Sequence, residues 1–89
     1  MSELLQILTV GQELLHGDRT TAYLMAHLVV SRPTLMRHIA ELRHMGCAIV
    51  SVREGGRSVF RLENPAEVCG RLVSRIRLEK DRSLREILG

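Results

Sequence analysis

A mainly α fold with a small β-hairpin, in which a three-helix core carries a wing and a further helix follows, is the class this 89-residue chain predicts. Three observations carry it. Hydroxyl residues stand at Thr20 and Ser31, just where helically spaced apolar residues begin, and little chain separates the two helices they start. After Gly46 the apolar period shortens to that of a strand. A Gly55-Gly56 pair then divides two β-branched runs.

The first helix is capped by Ser2. Its inner stripe is Leu4, Ile7, Leu8, Gly11, Leu14 and Leu15, and Gly17-Asp18 ends it. Gly11 on that stripe weakens the helix but lets a neighbour approach closely. Asp18-Arg19 is left to form at most a short strand beside the wing. The second helix follows Thr20 over residues 21–28, with Leu24 and Leu28 on one face. Val29-Val30 leaves a turn too short for a loop. The third helix, residues 31–45, opens Ser31-Arg32-Pro33-Thr34, where proline sits early enough that its missing N–H is not needed. Leu35, Ile39 and Leu42 form its buried stripe, with Arg37, Ala40, Glu41 and His44 opposite, and Gly46 closes it. Cys47, just beyond, belongs to the core.

Residues 48–52 and 58–62 then read as two strands around a turn at residues 53–57, Arg53-Glu54-Gly55-Gly56-Arg57. Its glycines accept positive φ, and its two arginines would present a pair of cations to whatever lies beneath. This order of parts is a winged helix-turn-helix, residues 1–64, and it makes DNA binding the leading expectation.

Residues 65–89 form a C-terminal helical segment. Asn64-Pro65-Ala66-Glu67 combines an N-cap, a first-turn proline and an acid three residues after the cap. Ala66, Cys69, Val73, Ile76, Lys80, Ser83 and Ile87 alternate at three and four residues, as in a coiled-coil seam. A helix continuous to Leu88 would run about 36 Å at 1.5 Å per residue, further than so small a domain can cover. Cys69, Leu72, Val73, Ile76, Leu84 and Ile87 are therefore the expected dimerisation residues. The alternative is a bend at Asp81-Arg82, with the capping box Ser83-Leu84-Arg85-Glu86 starting a short helix that folds back.

Leu28-Val29-Val30-Ser31-Arg32, Ile39-Ala40-Glu41-Leu42-Arg43, Ile49-Val50 and the Gly-Gly wing ending Phe60-Arg61-Leu62 together resemble the N-terminal DNA-binding domain of WYL-type bacterial regulators. More loosely they are similar to the DeoR-like and biotin-operon-repressor-like winged helices. The likeness begins near Leu4 and spans roughly two-thirds of the chain, a domain-sized match. It implies transcription regulation in a bacterium, its phage or a plasmid. Where that family usually has a turn glycine this chain has Val29, so either the turn is built differently or Val29 is strained. Pro33, Met36 and His38 also replace the family's usual basic, aromatic and acidic residues, so sequence specificity does not transfer. The effector domain that follows in WYL regulators has no counterpart in the last segment of about 25 residues, too short for a second domain.

Composition agrees with a small DNA-binding module. The chain carries net +3, with twelve Arg to one Lys, and arginine grips phosphate or guanine with paired donors. Residues 1–19 hold three acids and one base, net −2, whereas residues 20–64 hold six bases and three acids, net +3. One Tyr, one Phe and no Trp leave no aromatic platform for single strands, so double-stranded DNA is the expected partner. No run is apolar enough to span a bilayer and the start Met1-Ser2-Glu3 lacks a signal peptide's basic region, which points to the cytoplasm and, for two cysteines, to thiols.

Ser31, Arg32, Pro33, Thr34, Met36 and Arg37 on the third helix, with Arg53 and Arg57 on the wing, are the candidate DNA contacts. Arg37 reads a base or phosphate, Pro33, Met36 and Ala40 can meet thymine methyls, and Arg61 within the strand is a weaker candidate. The ordinary reading of each is a solvated face or loop. His38, His44 and Cys47 have no standard zinc spacing, and Cys69 is read as a packed thiol, the alternative being a redox switch that cross-links two chains at a symmetric seam. Neither metal, cofactor nor small-molecule ligand is expected. No nucleophile–base set, carboxylate pair or phosphate-cradling loop suggests an enzyme. These features together lead to the expectation of a homodimeric repressor. Its rivals are a winged-helix protein adaptor docking through Pro33, Met36, Ala40 and the last helix, or an architectural or recombination DNA binder of a mobile element.

Overall fold

Hydroxyl caps start each of the three N-terminal helices in the computed structural model, which describes residues 2–89. Leu5 N–H donates to Ser2 Oγ over 3.1 Å at the head of α1 (Glu3–Leu15), and Tyr23 N–H to Thr20 Oγ1 over 3.0 Å at the head of α2 (Thr21–Leu28). At α3 (Arg32–His44) Thr34 N–H donates to Ser31 Oγ over 3.4 Å. Each bond satisfies an amide that the first helical turn leaves without a carbonyl.

Only Val29 and Val30 stand between α2 and Ser31, and both of their N–H groups reach Met25 O. To close so short a turn Val29 adopts φ 55°, ψ 54°, the left-handed region. For a side chain this costs about 1–2 kcal/mol. Of the two ways of accommodating this valine, a rebuilt turn or a strained residue, the chain uses the second.

The sheet is antiparallel in the order β1-β3-β2, built from β1 (Arg19–Thr20), β2 (Ile49–Glu54) and β3 (Arg57–Leu62). The short strand expected at residues 18–19 forms at Arg19–Thr20, pairing with Phe60 and Val59. The wing differs from expectation in one respect. Its strands continue to Glu54 and resume at Arg57, so the turn is Gly55-Gly56 alone rather than residues 53–57. Both glycines have positive φ, 57° and 76°, as a two-residue hairpin whose twist matches its strands requires. Arg53 pairs with Ser58 and Arg57 with Glu54, which puts the two arginines on opposite faces of the ribbon.

Leu8, Leu24, Leu35, Ile39, Leu42 and Leu72 are almost fully buried, with Phe60 of the central strand beneath them. The expected stripes of α1, α2 and α3 all reach this core, and Val10 and His38 join it from outside those stripes. Gly11 marks the tightest approach. A Cβ there would lie 3.1 Å from a Leu42 methyl and 3.2 Å from a Leu72 methyl, so the missing side chain is what lets α3 and the last helix close on α1.

That last helix, α4 (Pro65–Leu88), is continuous through Asp81-Arg82, so the fold-back alternative is not adopted. Asn64 occupies its N-cap position without making the cap bond. Its amide instead donates to Gly46 O and Glu67 Oε2 and accepts from Ala48 N–H, which ties the head of α4 to the α3–β2 connection. The side facing α1 is Val68, Leu72, Ile76 and Glu79, which shares only Ile76 with the seam expected to meet a partner. Leu72 and Ile76 are consequently core residues of their own chain, whereas Cys69, Val73, Leu84 and Ile87 stay exposed. The reason is that α4 is apolar on two adjoining sides, and periodicity does not say which one meets α1. Beyond Glu79 only Ser83 is even half-buried, and the molecule measures 48 × 28 × 20 Å.

Candidate nucleic-acid interface

With Leu35, Ile39 and Leu42 turned inward, helical geometry leaves Pro33, Arg37, Ala40, Glu41 and His44 on the outer side of α3, all exposed. Thr34 and Met36, on its flanks, are half-buried, and Ser31 and Arg32 are exposed at its head. Ser31 serves as the cap, and its hydroxyl donates to Thr34 Oγ1 over 3.1 Å.

Arg32 and Arg57 are far apart in sequence, yet they line one groove of about 360 Å³ between α2, the head of α3 and the tip end of the wing. Thr20, Thr21, Ala22, Met25 and Ser58 complete its walls. Thr21 Oγ1 donates to Ser58 Oγ over 3.2 Å, which fixes the wing against α2 and hence the position of Arg57 relative to Arg32. Arg53, on the other face of the ribbon, donates to Gly56 O over 3.2 Å at the tip. Of the two wing arginines, Arg57 is the one that lines this groove.

The arginines divide into those already engaged and those left open. Arg61 donates to Asp18 Oδ2 through Nε and Nη2, at 3.0 and 2.8 Å, and to Glu54 Oε1 at 2.6 Å. Its hydrogen bonds hold the Asp18 carboxyl below the ordinary aspartate range. Arg61 is thus spent on carboxylates, and in binding Glu54 it occupies the acid nearest the wing tip. Arg43 donates twice to Ile49 O, at 3.1 and 3.0 Å, bracing α3 against β2. Arg19 bonds Glu13 and lies 5.5 Å over the Tyr23 ring. Glu13 also accepts from Tyr23 Oη over 2.7 Å, and that bond is the main cause of its lowered pKa. Arg32, Arg37, Arg53 and Arg57 form no ion pair among the described residues.

Two features of α3 were not legible as functional or structural signals in its sequence. His38 is wholly buried, with Nε2 3.2 Å from Gln6 Oε1 of α1 and no partner for Nδ1. With Gln6 oxygen as acceptor, the imidazole carries its proton on Nε2. Burial, the largest cause, depresses its pKa, Glu3 opposes that shift and Arg37 adds to it. The other feature is the C-terminus of α3, where Arg71 reaches Met45 O over 3.5 Å and Asn64 bonds Gly46 O. These contacts brace the end of α3 from α4. Among the described residues no cluster of three His, Cys, Asp or Glu could hold a metal ion, and no helix is long and apolar enough to cross a membrane.

A family model described as a helix-turn-helix (HTH) domain matches residues 3–56, from the first turn of α1 to the tip of the wing. No curated protein and no solved structure matches the chain.

Proposed function

The chain belongs to the helix-turn-helix domain family, and from that premise we propose that it is a sequence-specific regulator of transcription that binds double-stranded DNA as a homodimer. An α-helix with its side chains is about as wide as the DNA major groove, about 12 Å. The outer side of α3, with Arg37 at its centre and Pro33 and Ala40 beside it, enters that groove. Arg37 reads guanine through paired donors, while Arg32 and Arg57 take phosphates on either side of the groove they share. Ser31 and Thr34 add hydroxyl contacts at the head of α3, Met36 an apolar one on its flank, and Arg53 approaches the backbone from the wing tip. Repression follows from occupying a promoter.

The observation that carries this reading is the division of the arginines. Arg32, Arg37 and Arg57 on α3 and the wing are exposed and make no ion pair among the described residues, and Arg53 bonds only Gly56 O of its own turn, while Arg19, Arg43 and Arg61 brace one element against another. A purely structural surface has no need to keep the first set open.

Selection of purified protein against a random duplex library at two salt concentrations tests it. Enrichment of an inverted repeat bound by two chains is expected. Weak, sequence-blind binding that vanishes at physiological salt sinks the regulator. It would favour the adaptor reading, for which the exposed Leu78, Leu84, Ile87 and Leu88 of α4 speak.

A further inference from the structure

Gly70 lies in the interior of α4, where glycine costs about 1 kcal/mol relative to alanine, and a Cβ added to it would meet nothing within 4 Å. Unlike Gly11, it makes no close approach within its own chain. Gly70, Val73, Arg77, Leu84 and Ile87 are spaced three, four and seven residues apart, so they share one side of α4, next to the side that packs on α1. Val73, Leu84 and Ile87 are 41%, 53% and 81% exposed. A groove of about 250 Å³ lined by Gln12, Val73, Ile76, Arg77 and Lys80 runs along this same side.

This side is complementary to itself in reverse. Gly70 and Ile87 are equidistant from a point between Leu78 and Glu79, and so are Val73 and Leu84. A notch is mirrored by a large apolar residue and one half-exposed apolar residue by another. Arg77 is mirrored by Lys80, with Asp81 beside it to supply the opposite charge. Arg77 has no ion pair among the described residues, and Asp81 bonds only Arg85 on its own helix.

We propose that α4 pairs antiparallel with α4 of a second copy about a two-fold axis between Leu78 and Glu79, with Ile87 of each chain seated at Gly70 of the other. An isologous interface demands this self-complementarity, since each contact must occur twice. A parallel pair would set glycine against glycine, leaving a gap. The pairing builds on the homodimeric reading above and gives it a geometry. It also assigns Cys69 a place: its mirror position is Leu88, so two Cys69 thiols lie about 28 Å apart along the axis at 1.5 Å per residue and cannot join.

The test is cross-linking in the absence of DNA. Gly70→Cys and Ile87→Cys are each introduced into a Cys69→Ser chain, one carrying a size tag, and mixed under mild oxidation, with sedimentation of the unmodified protein alongside. The expected product is the mixed disulfide, with neither variant cross-linking to itself. Self-cross-linking of Gly70→Cys overturns the antiparallel pairing while leaving a dimer in place. A monomer on sedimentation with no cross-link overturns the pairing and the homodimer together, and the DNA contacts remain to be judged by the library. Ile87→Asp, at an exposed position that leaves the helical circular dichroism intact, is expected to weaken self-association by about tenfold or more. Leu78→Asp, exposed but on another side of α4, is expected to leave it unchanged, and an equal loss at both positions would overturn the assigned side.

Discussion

α3 and α4 are both arginine-bearing amphipathic helices, but α3 buries its single apolar side whereas α4 has two and buries one. Along α3 the exposed surface is polar or small, Arg37, Ala40, Glu41 and His44, and what remains open is charge. Along α4, Leu72 and Ile76 disappear into the core while Leu78, Leu84, Ile87 and Leu88 remain in solvent. Isolated exposed leucines are ordinary, but a run of them beyond the reach of the domain is not. The contrast separates two kinds of surface, one suited to a polyanion and one to another apolar face.

Substitution at equal chemistry gives the largest expected contrast. Leu72→Ala opens a cavity beside Gly11 and should destabilise the domain by about 2–5 kcal/mol. Leu84→Ala, on the exposed side, should change the stability of dilute, dissociated protein by less than about 0.5 kcal/mol, while reducing self-association. Urea unfolding at low concentration reads the first and sedimentation the second. Similar losses of stability at both positions would show that the end of α4 is packed in its own chain.

On the charged surface, Arg37→Ala should cost about 1–3 kcal/mol on the selected site and relax one of its positions. Arg57→Ala should weaken specific and random DNA alike and reduce the slope of log affinity against log salt by about 0.9. Arg61→Ala should leave that slope nearly unchanged, because its charge is taken up by Asp18 and Glu54. Binding curves for the three variants at several salt concentrations decide between these roles. A slope for Arg61→Ala equal to that for Arg57→Ala would refute the division of the arginines.

Which arginines stay open was not readable from the chain, because Asp18 and Arg61 meet only after 43 residues have folded between them. Local features were readable: Ser2, Thr20 and Ser31 cap as their side chains dictate, since each bond spans three residues. The helix-turn-helix and its wing followed from these signals and from Gly55-Gly56. The wing turn was drawn too long because strand ends depend on register with the partner strand, which also decided that Arg53 and Arg57 part company. That Leu72 and Ile76, expected in the dimer seam, are buried in their own chain was unreadable for a related reason: only contact with α1 ranks Leu72 above Val73.

His38 belongs to the buried part of α3 and gives a pH dependence that its exposed part should lack. Its folded-state pKa lies below the ordinary 6.5, so the unfolded chain binds a proton more readily than the native one. Stability is then full above about pH 6.5 and declines as pH falls from there toward the depressed value, where Nδ1 would gain a proton with no acceptor. The lowered carboxyls of Glu13 and Asp18 act in a separate window, as pH falls below their ordinary values of 4.5 and 3.8. Urea midpoints measured between pH 7.5 and 5 should fall for the native sequence, and His38→Gln should flatten that slope. An unchanged slope would mean that His38 is protonated at no cost.

The smallest expected effect lies in the turn that joins the scaffold helix α2 to α3. Val29 is 88% exposed, so its side chain contributes little burial to offset its left-handed backbone. Val29→Gly removes a penalty of about 1–2 kcal/mol, while the added freedom of the unfolded chain returns about 0.5–1 kcal/mol. A net gain of up to about 1.5 kcal/mol is the balance of those terms. The same substitution should leave DNA affinity unchanged if the turn only sets the angle between α2 and α3, since Ser31 and Pro33 still fix where α3 begins. A loss of stability would mean that the valine makes a contact its exposure does not reveal. A loss of DNA affinity at unchanged stability would mean that the stiffness of this turn, and not only its shape, holds Arg32 and Arg37 in register.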